Sequence, residues 1–166
     1  MMKGLTVAVL VVGALVGAPV ASAQRDTPPL LYGDYDVFVD FAQQTFNGVP
    51  TPTESKTFRV EYTATCDAGG CVVRMDNSDD LPRNPGAPAV FEYRWNGDRW
   101  ATSGDYPYLC ERMNPDSAVH SVRADYLIPQ PDGSFTGQRT ITVDGAGCPG
   151  EGPGVHSLPI AVRPAP

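Results

Sequence analysis

The sequence predicts an all-β fold: a single antiparallel β-barrel of about eight strands, lipocalin-like, with a two-sheet β-sandwich as the alternative. Three observations point there. Apolar residues recur with a period of two in successive short segments, the mark of a half-buried strand. The 17 glycines and 17 prolines supply turns, while 42% hydrophobic residues are enough for a core. Beyond residue 23 no stretch shows convincing helical periodicity. The barrel is preferred because successive strands are joined by hairpin-like connections.

Taken in order, the chain opens like an export signal. Lys3 supplies positive charge, Leu5 to Val16 is an apolar run, and Ala21-Ser22-Ala23 is a cleavage site. The run is shorter than the ~20 residues a spanning helix needs. Residues 1–23 therefore read as a cleaved signal peptide and Gln24 as the mature N-terminus. No cysteine sits at the cleavage point to carry a lipid. Residues 24–32 form a flexible lead-in, 33–163 the barrel domain, and 164–166 a frayed tail.

The first strand alternates Tyr35, Val37, Val39 and Phe41 with Asp36, Phe38 and Asp40. Gln43 to Ser55 is a long connection containing Asn47-Gly48 and two prolines. In the second strand Phe58, Val60, Tyr62 and Ala64 share a face opposite Arg59, Glu61, Thr63 and Thr65. Continuing that parity puts Cys66 on the apolar face. Asp67-Ala68-Gly69-Gly70 turns the chain, and Cys71, Val73 and Met75 share the next inner face. Asn77 to Pro88 is a polar loop. Phe91, Tyr93 and Trp95 alternate with Glu92 and Arg94; Asn96-Gly97 is a hairpin turn, and Trp100 lies on the return. Gly104 to Asp116 is irregular.

Ser117 to Cys148 reads as one long hairpin around Pro131-Asp132-Gly133. Its first strand places Val122, Ala124, Tyr126 and Ile128 on the expected inner face and Ser121, Arg123 and Asp125 outside. Gly145 to Gly154 is a glycine-rich loop. His156, Leu158, Ile160 and Val162 share a face of the last strand, where Pro159 implies an edge or a bulge.

The four cysteines of an exported chain are expected to form disulfides, with three possible pairings. Parity favours Cys66–Cys71 across a short turn, leaving Cys110–Cys148.

Composition excludes some functions. The formal net charge is -7 and becomes more negative once Lys3 is removed. Such a chain without a basic run is a poor nucleic-acid or anionic-membrane binder. After the signal no segment is apolar enough to span a membrane. Only two histidines are present, and no zinc-ligand spacing occurs. Asp76-x-Ser78-x-Asp80 lacks the glycine and glutamate of a calcium loop, with Leu81 and Ala87 in their places. It reads as a solvated acidic loop. There is no G-x-S-x-G elbow and no spare cysteine nucleophile. No cofactor, metal or catalytic residue is expected.

One feature is unusual. By parity His120, His156 and Arg139 look toward the interior. A buried arginine without a partner is very costly. Three arrangements would satisfy Arg139: an internal aspartate, a bulge at Gly137 that turns it outward, or a place at the barrel mouth. The functional alternative is a cavity with a polar anchor for an amphipathic ligand. Arg139, His120, His156 and Tyr126 are the candidate ligand-binding residues. Tyr93, Trp95, Trp100, Tyr106 and Tyr108 are read as core for the most part, with lining of a pocket or a partner surface as the alternative.

The segment resembles a group of small secreted, two-disulfide proteins of mycobacteria and related actinobacteria. The resemblance rests on Gly33-x-Tyr35, Asn47-Gly48-x-Pro50-x-Pro52, Thr65-Cys66 with Gly70-Cys71-Val72, Pro131-Asp132-Gly133-Ser134-Phe135-Thr136-Gly137 and Cys148. It covers nearly all of Gly33 to Arg163 and carries no catalytic motif. Similar extracytoplasmic segments in kinase-linked proteins of those bacteria imply sensing.

The leading expectation is a secreted, monomeric, non-enzymatic module that binds a small apolar or amphipathic molecule inside the barrel. The second is a cell-envelope interaction or scaffold protein with a filled core. A hydrolase is the third. An enclosed interior above ~300 Å³ would favour the first, and a solid interior with an exposed apolar patch the second.

Overall fold

A computed structural model of the protein describes residues 27–111 and 113–166. The expected signal segment lies outside the described residues. The strands are β1 (Gly33–Val39), β2 (Thr45–Phe46), β3 (Val49–Pro50), β4 (Lys56–Asp67), β5 (Gly70–Asp76), β6 (Val90–Trp95), β7 (Trp100–Asp105), β8 (Tyr108–Leu109), β9 (Ala118–Val119), β10 (Ser121–Pro129), β11 (Phe135–Cys148) and β12 (Gly152–Pro164). Three short 3-10 turns interrupt the loops.

Eight strands close an antiparallel barrel in the order β1-β4-β5-β6-β7-β10-β11-β12, with β12 returning to β1. Neighbours in the chain are neighbours in the wall, apart from the β2–β3 hairpin attached to β12 and the separate β8–β9 pair. Closure removes the edges that an open sheet would have to protect. Tight connections, including 68–69, 96–99 and 130–134, lie at one end. The long loops 40–55, 77–89 and 106–120 gather at the other.

Most inner faces follow the sequence pattern. Tyr35, Val37, Val39, Tyr62, Val73, Met75, Phe91, Tyr93, Trp100, Leu158, Ile160 and Val162 are all buried. Tyr35, Tyr62 and Tyr93 pack edge-on in series, with ring centroids 5.4 and 6.3 Å apart. Residues 27–32, the described part of the lead-in expected to be flexible, are anchored: Leu31 is fully buried, and Trp100 Nε1 donates to the Pro29 carbonyl at 2.7 Å. At the other terminus Pro164 pairs with Tyr35 and Ala165 N donates to Asp34 O, so the expected tail is hydrogen-bonded there.

The inner face of β10 corrects the expectation. Ser121, Arg123, Asp125 and Leu127 are buried, whereas Val122, Ala124 and Tyr126 are half-buried and Ile128 is exposed. The register with β11 forces this. Asp125 stands opposite Arg139 and Leu127 opposite Gly137, and directly opposed residues of an antiparallel pair share a face. Phe135, Arg139 and Val143 point inward, so the odd-numbered residues of β10 must as well.

Three smaller expectations also change. Asn47-Gly48 closes a tight two-residue hairpin inside the 43–55 connection, with φ of 51° and 80°. The glycine-rich 145–154 segment is largely strand, with a register shift between Val143 and Cys148. Pro159 lies in a strand paired on both sides. Its carbonyl accepts from Asp40 N at 2.9 Å, so its nitrogen faces the same side, where β1 has just ended. No ladder bond is lost there.

Both disulfides pair as parity suggested. Cys66 and Cys71 stand directly opposite, with Cα atoms 4.0 Å apart. Cys110 and Cys148 tie the 106–117 segment to the end of β11.

Candidate functional site

Buried apolar side chains pack across the barrel interior, and an ionic cluster sits among them. Asp125 is wholly buried and accepts from two guanidinium groups. Arg123 Nη2 lies 2.6 Å and Arg139 Nη2 3.0 Å from Oδ2, while Arg139 Nε lies 3.0 Å from Oδ1. Tyr93 Oη donates to the same carboxylate at 3.0 Å. The Arg123 guanidinium also lies 3.9 Å from the centre of the Phe91 ring. Burial pushes the Asp125 carboxyl up, but the two arginines outweigh it and hold it below the usual carboxylate range. Burial, with Asp125 close by, pushes the Tyr62 and Tyr93 phenols up, so both stay protonated.

Arg139 thus has its internal aspartate, the first of the three arrangements considered for it. No bulge forms at Gly137. A Cβ there would collide with the Tyr126 carbonyl oxygen, so the close approach of β10 and β11 requires glycine.

The other candidates are scattered. Tyr126 lies on the outer wall beneath the Arg99 guanidinium, 5.1 Å from its ring centre. The expectation that it faces the interior fails with the face of β10. His120 shares that parity and is also outside. Its Nδ1 lies 2.9 Å from both Asp144 oxygens, and its Nε2 3.6 Å from Asp105 Oδ1. The hydrogen bond and charge of Asp144 raise its pKa. His156 does point inward, at the loop-bearing end. It is only 3% exposed and lies between the Phe46 and Tyr108 rings, each 4.6 Å away. Among the described residues neither ring nitrogen finds a hydrogen-bond partner, and burial lowers its pKa. The structure therefore does not bring the four candidates into one site.

A cleft forms where the wall is weakest. β6 and β7 pair only at Arg94–Ala101 and Trp95–Trp100. Toward the loop end they separate, and Tyr106 with the 77–89 loop fills the gap. Tyr106 Oη donates to Asp80 at 3.1 Å, and Asn84 Nδ2 donates to the Pro107 carbonyl at 2.8 Å. Ser121 Oγ bonds the Tyr106 carbonyl. Outside this filler lies an open cleft of about 310 Å³, lined by Gly86, Asp105, Tyr106, Pro107, Ala118, Val119 and His120. Of the four candidates only His120 borders it.

The arrangement limits the chemistry. His120 has carboxylate partners, but among the described residues that line the cleft there is no serine, threonine or cysteine to act as nucleophile. Among the described residues no group of three or more His, Cys, Asp or Glu side chains is placed to hold a metal ion. Asp76 is engaged by Ser78 N and Asp80 by Tyr106 and Arg83. Among the described residues no helix is long and apolar enough to cross a membrane.

Comparison with known proteins decides the family. Residues 27–165 match the model of the PknI serine/threonine-protein kinase sensor domain. The chain belongs to the PknI sensor domain family. Among solved structures, the monomer form of the M. tuberculosis PknI sensor domain superposes with a TM-score of 0.59 at 18% identity, covering 81% of this chain and 87% of that one. The likeness shows the fold. The dimer form of the same M. tuberculosis domain matches with a TM-score of 0.43 at 20% identity, over 73% and 79% of the two chains. No curated protein matches the chain. The family is described as a sensor domain, and the two disulfides suit an oxidising compartment.

Proposed function

We propose that this chain is a secreted, non-enzymatic binding module of sensor type, and that it takes a small apolar or amphipathic ligand at the loop-bearing end of the barrel. The observation that carries this reading is the cleft beside Tyr106, Pro107, Val119 and His120, set against an interior filled by side chains. Its volume lies at the lower bound of small-molecule sites, about 300 Å³. The sensor family supports recognition as the task. The signal-like residues 1–23 and the disulfides support export. His120 is the binding residue retained from the sequence; Arg139 stabilises the barrel, and Tyr126 and His156 lie apart from the cleft.

The test is native mass spectrometry of the protein purified from its own source, followed by extraction. A co-purifying small molecule lost on Val119→Arg supports the cleft. Repeated absence, or a ligand kept by that variant and lost on Arg139→Met, counts against it.

A second reading is a cell-envelope interaction module built on the filled barrel. Exposed Val49 and Met113, both in the loops of the same end, favour it. It predicts that photo-crosslinkers at those two positions capture one envelope protein.

A further inference from the structure

The cleft has an apolar floor and one acidic wall. Pro107, Ala118, Val119 and the body of Tyr106 supply the floor. Asp105, at the end of β7, and His120, between β9 and β10, supply the wall, with Asp144 of β11 behind the imidazole. Asp105 and Asp144 are the charged groups that face His120 from the strands around it. One imidazole therefore serves two carboxylates. The trio carries excess negative charge when His120 is protonated and more when it is neutral. Among the described residues no lysine or arginine lines the cleft.

The geometry points to an alkylammonium group as the ligand: its apolar body lies on Ala118, Val119 and Pro107, and its ammonium takes the place beside Asp105 and Asp144 that His120 holds as a resident cation. The inference rests on the reading of the cleft as a binding site. The charges match in sign, and the apolar floor gives the alkyl body surface to bury. Such a ligand competes with the protonated imidazole, so binding strengthens as His120 loses its proton. Because Asp144 raises the His120 pKa, that change lies above the ordinary value of about 6.5.

The experiment uses the whole mature protein with 13C-labelled Ala and Val methyls, titrated with hexylamine, hexanol and hexanoate at pH 5.5 and pH 9. A lysine-like amine, with a pKa of about 10.4, is still charged at the higher pH. Hexylamine is expected to shift the Ala118 and Val119 methyls saturably, and to bind about fivefold tighter at pH 9. His120→Asn should abolish the difference between the two pH values. Asp105→Asn should weaken hexylamine and leave hexanol unchanged. Nα-acetyl-lysine methylamide separates the sources: saturable binding assigns a lysine side chain, and binding of hexylamine alone assigns a free amine, either of which supports the inference. Equal shifts from hexanol or hexanoate would overturn the charge preference and leave the cleft as a binding site. Unmoved Ala118 and Val119 methyls with every probe would overturn the inference, while the co-purification experiment judges the cleft separately.

Discussion

Asp125 and Arg139 stand opposite each other on β10 and β11 with both side chains inside the barrel. Arg139 Nε reaches Asp125 Oδ1 and Nη2 reaches Oδ2, each at 3.0 Å. Arg123, two residues before Asp125 on the same face, closes on the same carboxylate. Two cations thus share one buried anion. Removing the shared member leaves both cations uncompensated.

Asp125→Asn is therefore expected to destabilise the fold by about 3–5 kcal/mol, read from urea unfolding. Arg139→Met should cost less, because Arg123 still neutralises the carboxylate. A loss below about 1 kcal/mol for Asp125→Asn would mean that water reaches the cluster.

Stability should vary with pH through three groups of different sign. The Asp125 pKa is lowered in the folded state, so its contribution is present above the unfolded value of about 3.9 and is lost as pH falls through the folded value. The His156 pKa is also lowered. Below about 6.5 the unfolded chain takes the proton first, so stability erodes as pH falls toward the folded value. The His120 pKa is raised. Its contribution is present below about 6.5 and fades as pH rises through the folded value. Melting curves from pH 5 to 8.5 should show His156→Phe gaining stability mainly on the acid side. His120→Asn should lose it there. The same profile for both variants would contradict the opposite placements of the two rings.

The Cys110–Cys148 bridge spans 38 residues and the Cys66–Cys71 bridge 5. Chain-entropy estimates give about 4 and 2 kcal/mol. Paired alanine substitutions, compared by urea unfolding, should cost in that order. The long bridge should also protect the 106–117 segment from proteolysis.

Much of the wall was legible because β4, β5, β6 and β12 put their more apolar residues inside. β10 broke that rule. Val122, Tyr126 and Ile128 are more apolar than Ser121, Arg123 and Asp125, yet the polar set is buried. Hydrophobicity alone assigns the wrong face when a paired ionic cluster replaces apolar filling. The hairpin itself held the missing signal. A five-residue connection from Gln130 to Ser134 pairs Pro129 with Phe135. Odd residues then oppose odd residues, and an inward Arg139 requires an inward Asp125. The cleft was not legible, because Gly86, Asp105, Pro107 and Val119 meet only after the wall has parted between β6 and β7. His156 was placed inward correctly, but its partners Phe46 and Tyr108 come from two-residue strands too short to leave a period.

Gly137→Ala tests the close approach of β10 and β11. The added methyl meets the Tyr126 carbonyl and the Leu127 backbone, which cannot swing aside as a flexible side chain would. A loss of about 1–3 kcal/mol is expected, with faster amide exchange along the hairpin. A neutral substitution would show that the two strands can separate locally without cost.

Recognition outside a filled barrel is most directly tested by mapping an uncharged fluorescent apolar dye, Nile red, on the labelled protein by methyl and amide shifts. Even a weak, non-selective probe reports which apolar surface is open. The predicted result is a set of shifts centred on Ala118, Val119 and their neighbours in the cleft, with Leu127, Leu158 and Val162 unmoved. Shifts centred on Leu127, Leu158 and the Asp125–Arg139 pair would show an accessible interior and contradict the filled barrel.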